Sequence, residues 1–427
     1  MKIGLLGIDA AIAQVVAAAR RLGDEIVLAC DVADDSPHAR LLDGVPADPS
    51  WEAIVDPRVC DAVLVGADGW NDVRAEGVRK LVQAGRTLLV SHPLELSMLW
   101  AYEIDMIRKD SGARVIPFLP ERLHPFIGRL RRELAAGIAG VGTRGQVETI
   151  AMERRMRDRS RDAVLRQLAR DADLVRVLVG DPERLSTLGS GNPETAWGTL
   201  AVGFTGPAQV PVRWQVVRGD TDSLRIVLSA ARGGFTVERP DDAAAWTLAL
   251  SGAGPTADIP PTAMDDGETM LGVLREACAN LSGRGESGRS DDDAVPPASW
   301  ADAARAIELA ETVPRSLAKG RAIDLHKEEF SELGTFKGTM ASLGCAIVLG
   351  ALLLLMLATL VGGVAKEARW GFGEWIAGLW PIVVLSVLGI FLALQLLPLL
   401  IGGDAGSGPG DAPEKPGGNA DRPGPRA

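Results

Sequence analysis

The sequence predicts an α/β protein with three parts. A Rossmann-like, doubly wound parallel sheet covers residues 1–119. An α+β domain with an open, mainly antiparallel sheet covers 120–335. A transmembrane helical hairpin follows, with helices over 338–365 and 375–403. Three observations predict this. Short apolar strands alternate with helices as far as residue 119, the pattern of a parallel sheet covered on both faces. Between Arg184 and Leu250 the pattern changes to short strands with turn signals about every ten residues. No charged residue occurs from Gly338 to Ala365 or from Trp375 to Gly403, and each stretch exceeds the ~20 apolar residues that span a bilayer as a helix.

The elements follow in order. Lys2–Gly7 (KIGLLG) reads as a strand and Ala10–Leu22 as a helix stopped by Gly23. Glu25–Cys30, Asp61–Gly66, Arg86–Val90 and Val115–Leu119 are further apolar strands, with helices at Val73–Ala84 and Leu96–Lys109. Leu123–Ala136 reads as a helix and Gly145–Arg155 as a strand. Asp162–Val179 carries Leu165, Leu168, Ala172, Val175 and Leu178 at helical spacing and stops at Gly180. Strands then fall at Gln209–Val217, Ser223–Leu228, Gly234–Val237 and Trp246–Leu250. A polar loop covers 281–299, and a helix at 300–318 returns to the body. The Gly- and Pro-rich tail over 404–427 reads as disordered.

Composition narrows the function classes. The chain has 427 residues, 47% hydrophobic and 24% charged, with a formal net charge of −11. That length supports two domains with real cores. The acidic balance excludes nucleic acid as a main partner. Cys30, Cys60, Cys278 and Cys345 form no CxxC pair, so neither a zinc knuckle nor a redox motif is present. Four scattered histidines (His38, His92, His124 and His326) make no metal site. Neither apolar stretch carries an Asp, Glu, Lys, Arg or His, which favours an anchor over a transport path. Trp370, Trp375 and Trp380 cluster near one expected interface. Asp9 interrupts the N-terminal apolar run too early for a signal peptide, so the globular body is expected on the cytoplasmic side of a two-span membrane protein.

The segments KIGLLG, IVLACDVAD, DPRVCDAVLVGAD, VQAGRTLLVSHPLELS, ERLHP, ADLVRVLVGDP and WADAARAIELAETVPRSLAKGRAIDL occur in that order. Together they resemble the Gfo/Idh/MocA oxidoreductases, the glucose–fructose oxidoreductase and inositol dehydrogenase family. The resemblance covers residues 1 to about 325 and leaves out the hairpin. It implies NAD or NADP as cofactor, a sugar or polyol as the small-molecule substrate, and a homo-oligomer as a possible assembly.

The resemblance also assigns residues. In the dinucleotide fingerprint G-x-G-x-x-G the matching positions are Gly7, Asp9 and Ile12. Gly7 suits the tight turn, whereas Asp9 sets a carboxylate where backbone should face pyrophosphate, and Ile12 should crowd the helix–strand contact. Asp31 follows the second strand, where an acidic residue grips the ribose of NAD. Ala67 and Pro93 are the remaining expected cofactor contacts. Ser91-His92-Pro93 stands where the family has E-K-P, so the lysine is absent and His92 is the candidate proton-transfer group. Asp173 is the second catalytic candidate. Arg170 stands where the family carries a histidine, and an arginine cannot act as a general base. Arg122, His124 and Arg170 are the candidate substrate-binding residues, and Asp173 with Arg176 is expected to pair on one helix face. Two readings follow. One is a membrane-anchored oxidoreductase with an altered site. The other is a catalytically inactive relative that binds a ligand or partner at the membrane.

Overall fold

The computed structural model describes residues 1–325 except 34, 49, 193–195, 241–244, 253–258 and 282–293, together with scattered positions beyond 352. Six strands form the first sheet: β1 (Lys2–Leu6), β2 (Glu25–Cys30), β3 (Ala47–Asp48), β4 (Ala62–Val65), β5 (Thr87–Val90) and β6 (Arg114–Pro117). Their spatial order is β3-β2-β1-β4-β5-β6, and every pairing is parallel. All four residues of β4 are buried, as are all four of β5. Burial on both faces is why AVLV carries no polar alternation. The crossovers include α1 (Ala10–Arg21), α2 (Asp72–Gln83) and α3 (Met98–Ser111). The strand order reverses between β1 and β4, so a ligand crevice opens at their carboxyl ends.

The second sheet has nine strands: β7 (Val147–Met156), β8 (Arg184–Asn192), β9 (Ala196–Thr205), β10 (Val212–Arg218), β11 (Ser223–Ala230), β12 (Gly233–Arg239), β13 (Ala245–Gly252), β14 (Thr262–Ala263) and β15 (Ile323–Asp324). Their order is β14-β13-β12-β11-β7-β10-β9-β8-β15. Only the pairing of β7 with β10 is parallel. Burial alternates along these strands. Val212, Trp214 and Val216 point into the core while Arg213 is exposed, as a sheet covered on one face requires. The covering helices are α4 (Pro125–Ile138), α5 (Arg161–Val179) and part of α7 (Trp300–Lys319).

Two helices join the halves. α6 (Asp266–Leu281) leaves the second sheet and packs on α1, where Met270, Leu271 and Leu274 share a core with Ile12 and Val16. The approach is so close that a Cβ on Gly267 would lie 2.3 Å from the Gln14 carbonyl. α7 has two apolar faces. Trp300, Ala303, Ala304 and Ile307 bury against the first sheet, and Ala306, Leu309, Ala310 and Val313 against the second.

The expected spans over 338–365 and 375–403 and the tail over 404–427 lie outside the described residues, apart from a few isolated helical positions. Among the described residues no helix is long and apolar enough to cross a membrane.

Candidate functional site

The turn from β1 into α1 is the first candidate. Gly7 sits at φ +68 and its N–H donates to the Cys30 carbonyl at 2.9 Å. Asp9 is the N-cap of α1. Its Oδ1 accepts from the backbone N–H of Ala11 at 3.0 Å and of Ile12 at 2.9 Å, and its Oδ2 accepts from the N–H of Ala67 at 2.7 Å. The exposed N–H groups and the positive end of a helix dipole make such a terminus an anion site. Here the anion is the chain's own carboxylate, 8% exposed. Ile12, expected to crowd the helix against the strand, is fully buried in the core shared by α1 and the sheet.

Arg74, in the first turn of α2, closes the same crevice. Its Nε donates to Asp31 Oδ2 at 2.7 Å and its Nη2 to the Asp31 carbonyl at 3.0 Å. Its Nη1 donates to the carbonyls of Gly66 and Asp68. Four of the five guanidinium N–H groups are therefore used inside the protein. A Cβ on Gly7 would lie 2.4 Å from Arg74 Nη1, so the guanidinium rests directly on the turn. Asp31, held at φ +51, is tied to it.

A dinucleotide does not fit this arrangement. The N–H groups that would meet a pyrophosphate are bonded to Asp9, and a second anion there would face that carboxylate. The carboxylate that would grip a ribose diol has one oxygen committed to Arg74. Sequence reasoning named Gly7, Asp9, Asp31 and Ala67 but missed Arg74. The available signal was a cation in the first turn of a helix, where the dipole disfavours it.

The second candidate is the cleft between the two sheets. The peptide bond between His92 and Pro93 is cis, and the Pro93 carbonyl accepts from Arg166 Nη1 at 3.1 Å. His92 is 6% exposed. Burial, and then the positive charge of Arg170, hold its pKa down at about 3, against the opposing pull of the Ala169 backbone. The imidazole is neutral at neutral pH. Its Nε2 has no hydrogen-bond partner among the described residues, and neither do Ser91 Oγ and Arg170 Nε.

Glu121 lies in the same field. Burial raises its pKa, but Arg170, Arg239 and Arg154 outweigh burial and bring it to about 2. Arg239 donates to Glu121 Oε1 at 2.8 Å and to Asp266 Oδ2 at 2.9 Å. Burial pushes Asp266 up to about 6, with the Glu121 charge acting the same way.

Asp173 and Arg122 sit in a neighbouring cluster. Arg122 Nη1 donates to Asp173 Oδ1 at 2.7 Å and lies 3.7 Å from Asp302. Burial pushes Asp173 up to about 6 despite Arg122 and Arg176, and its Oδ2 has no partner among the described residues. The expected Asp173–Arg176 pair is replaced. Arg176 bonds Asp181 at 2.6 Å and Asp302 at 3.0 Å, because both carboxylates reach its side of α5.

His124 is used internally. Its ring stacks on Trp246 with centroids 4.2 Å apart. Its Nδ1 accepts from the Phe126 N–H, so Nε2 is the nitrogen left to donate to the Thr262 carbonyl at 3.3 Å. Burial lowers its pKa to about 4. The cleft thus brings His92, Arg170 and Glu121 together and leaves Asp173, Arg122 and His124 engaged with their own neighbours. Sequence reasoning also missed Asp171, which accepts from Arg154, from Gln167 at 3.0 Å and from Trp214 Nε1 at 2.8 Å.

Solved structures with this architecture include oxidoreductases. An oxidoreductase from Agrobacterium radiobacter in complex with NAD+, L-tartaric acid and magnesium aligns with a TM-score of 0.58 at 16% identity, over 76% of this chain and 98% of its own. An aldose-aldose oxidoreductase from Caulobacter crescentus complexed with glycerol aligns at 0.59 and 14%, over 76% and 99%. A 3-ketoreductase from Actinomadura kijaniata in complex with TDP-benzene and NADP aligns at 0.56 and 14%, over 74% and 97%. The fold is that of the Gfo/Idh/MocA oxidoreductases. No family model and no curated relative matches the sequence. Two of these three structures hold NAD+ or NADP, and at these identities the likeness carries the fold alone.

Proposed function

We propose that this protein is a non-catalytic ligand-binding relative of the sugar and polyol oxidoreductases, held at a membrane by residues 338–403 with its globular body on the cytoplasmic side. The observation that carries the reading is the Asp9 carboxylate bonded to three backbone N–H groups at the helix terminus where a pyrophosphate would lie. The cleft supports it. The lysine expected beside a nicotinamide is a buried histidine, and the position of the expected base on α5 holds Arg170, a residue type that cannot act as a general base. The ligand is a small polar molecule that meets His92, Ser91 and Arg170, whose buried polar atoms have unspent hydrogen bonds.

Titration of the full-length protein with NAD+, NADH, NADP+ and NADPH by calorimetry tests this reading. No binding up to about 1 mM is expected. Stoichiometric binding at micromolar Kd overturns it and favours the second reading, a sugar or polyol oxidoreductase that uses NAD or NADP. The neutral, unpartnered Nε2 of His92 is the observation that favours that alternative, since a neutral imidazole can accept a proton at neutral pH.

A further inference from the structure

A cavity of about 600 Å³ lies between the N-terminal turn of α5 and the C-terminal half of α7. Small-molecule sites commonly fall in the range ~300–1,000 Å³. His92, Ser91 and Arg170 do not line it. Leu96, Leu165 and Pro314 give it apolar walls, beside charged side chains that are unevenly used. Asp162 is spent on Arg166 at 2.6 Å. Glu311 and Arg315 stand one helical turn apart on α7, a spacing at which a carboxylate and a guanidinium ordinarily pair. They do not pair here. Glu311 turns its Oε2 to the Met98 N–H at 3.1 Å, a donor that the first turn of α3 leaves free. Its Oε1 meets no protein donor among the described residues, and neither Arg161 nor Arg315, both exposed, bonds a protein group among them. The cavity therefore holds an available carboxylate oxygen one turn from a free guanidinium, with a second free guanidinium on α5.

We propose that this cavity binds a free α-amino acid with an apolar side chain. The site is separate from the cleft and does not depend on the reading given for it. The ligand's ammonium group donates to Glu311 Oε1, and its carboxylate accepts from Arg315 and Arg161. Its side chain packs on Leu96, Leu165 and Pro314. Both charges of a zwitterion are answered in this way. A simple anion would meet the Glu311 carboxylate, and a simple amine would meet two guanidinium groups. Selection thus runs against any ligand that carries only one of the two charges.

Calorimetric titration of the full-length protein with L-leucine, isocaproate and isoamylamine tests the proposal. Isocaproate lacks the amine of leucine, and isoamylamine lacks its carboxylate. Charge pairs open to solvent are weak, so L-leucine is expected to bind with a Kd of about 0.1–1 mM. Each analogue should bind about tenfold more weakly or worse. Glu311→Gln keeps an acceptor for the Met98 N–H and removes the charge, so it should bring L-leucine down to the level of isocaproate. Arg315→Gln, at an exposed position, should weaken L-leucine about tenfold. No heat from L-leucine at about 10 mM overturns the inference. Either analogue binding as tightly as L-leucine overturns it too. L-Leucine binding that neither variant alters overturns it as well, because the ligand then sits elsewhere. Each of these outcomes leaves the proposed function standing.

Discussion

The β1–α1 turn and the interdomain cleft are both buried and polar, and they differ in how completely their polar atoms are satisfied. At the turn, Asp9 accepts three N–H groups and Arg74 donates to four oxygens. In the cleft, His92 Nε2, Ser91 Oγ and Arg170 Nε have no partner among the described residues, and neither has Asp173 Oδ2 in the neighbouring cluster. An unsatisfied buried polar atom costs about 1–3 kcal/mol. Such atoms persist where a ligand or water completes them. The turn has been closed by its own side chains, whereas the cleft still has hydrogen-bonding capacity to offer. The two regions can differ in this way because they are built from different elements.

Cutting satisfied groups should be expensive and cutting orphans cheap, and four measurements sharpen or break that contrast. The largest effect is expected from Asp171→Ala. It strands Arg154 and Trp214 Nε1 in the core and should cost ~3–5 kcal/mol in urea unfolding. A loss below 1 kcal/mol, on the order of a surface substitution, would show that the cleft scaffold is looser than its hydrogen bonds imply.

Arg74→Ala comes next. It leaves the Gly66 and Asp68 carbonyls without their donor, and Asp31 is already 38% exposed at its side chain. The partly solvated pair reduces the penalty, so about 2 kcal/mol is expected from the same measurement. An unchanged midpoint would mean that the turn holds its shape without the guanidinium.

The acid response is the third measurement. His92 and His124 have folded pKa values of about 3 and about 4, below the ordinary ~6.5. The unfolded chain therefore binds more protons below pH ~6.5, and stability falls as pH drops through that window. Asp173 and Asp266 act in the opposite sense. Their folded values of about 6 exceed the ordinary ~3.9, so their contribution falls as pH rises from about 4 to 6. The two pairs oppose each other between about pH 4 and 6. Asp173→Asn removes one opposing group. The rise in stability from pH 5 to 6 should then steepen by ~1 kcal/mol per pH unit, read from denaturant midpoints. A flatter profile would mean that the histidines are more solvated than their burial indicates.

The smallest effect belongs to Ser91→Ala. Its hydroxyl is buried and bonds no protein group among the described residues, so stability should stay within about 0.5 kcal/mol or improve. A loss above ~1 kcal/mol would show that an ordered water already completes Ser91 in the free protein.

Much of the fold is legible in the sequence. KIGLLG, EIVLAC and DAVLVG are apolar enough to require burial on both faces, and Gly23 and Gly180 mark helix ends. The strands at 184–192 and 196–205 carry a weak period-2 signal, since Ser186 and Thr187, Gly189 and Ser190, and Gly198 and Thr199 fall side by side and break the alternation. α6 has no expectation attached to it, although it completes the core around α1. Its glycines weaken the helical signal, and Gly267 is needed only because Gln14 stands opposite.

For the site, the sequence by itself determined residue type: a carboxylate at residue 9, a histidine before Pro93, and an arginine at residue 170. These are facts of residue type, and residue type sets charge and proton affinity before any folding occurs. Only the tertiary structure decided which partners these side chains meet. Asp9 meets Ala67 across 58 residues of chain, and Arg74 meets Asp31 across 43. Contacts of that separation depend on β1, β2 and β4 lying side by side. That order is set by how the strands pack together, and no local window of sequence carries it.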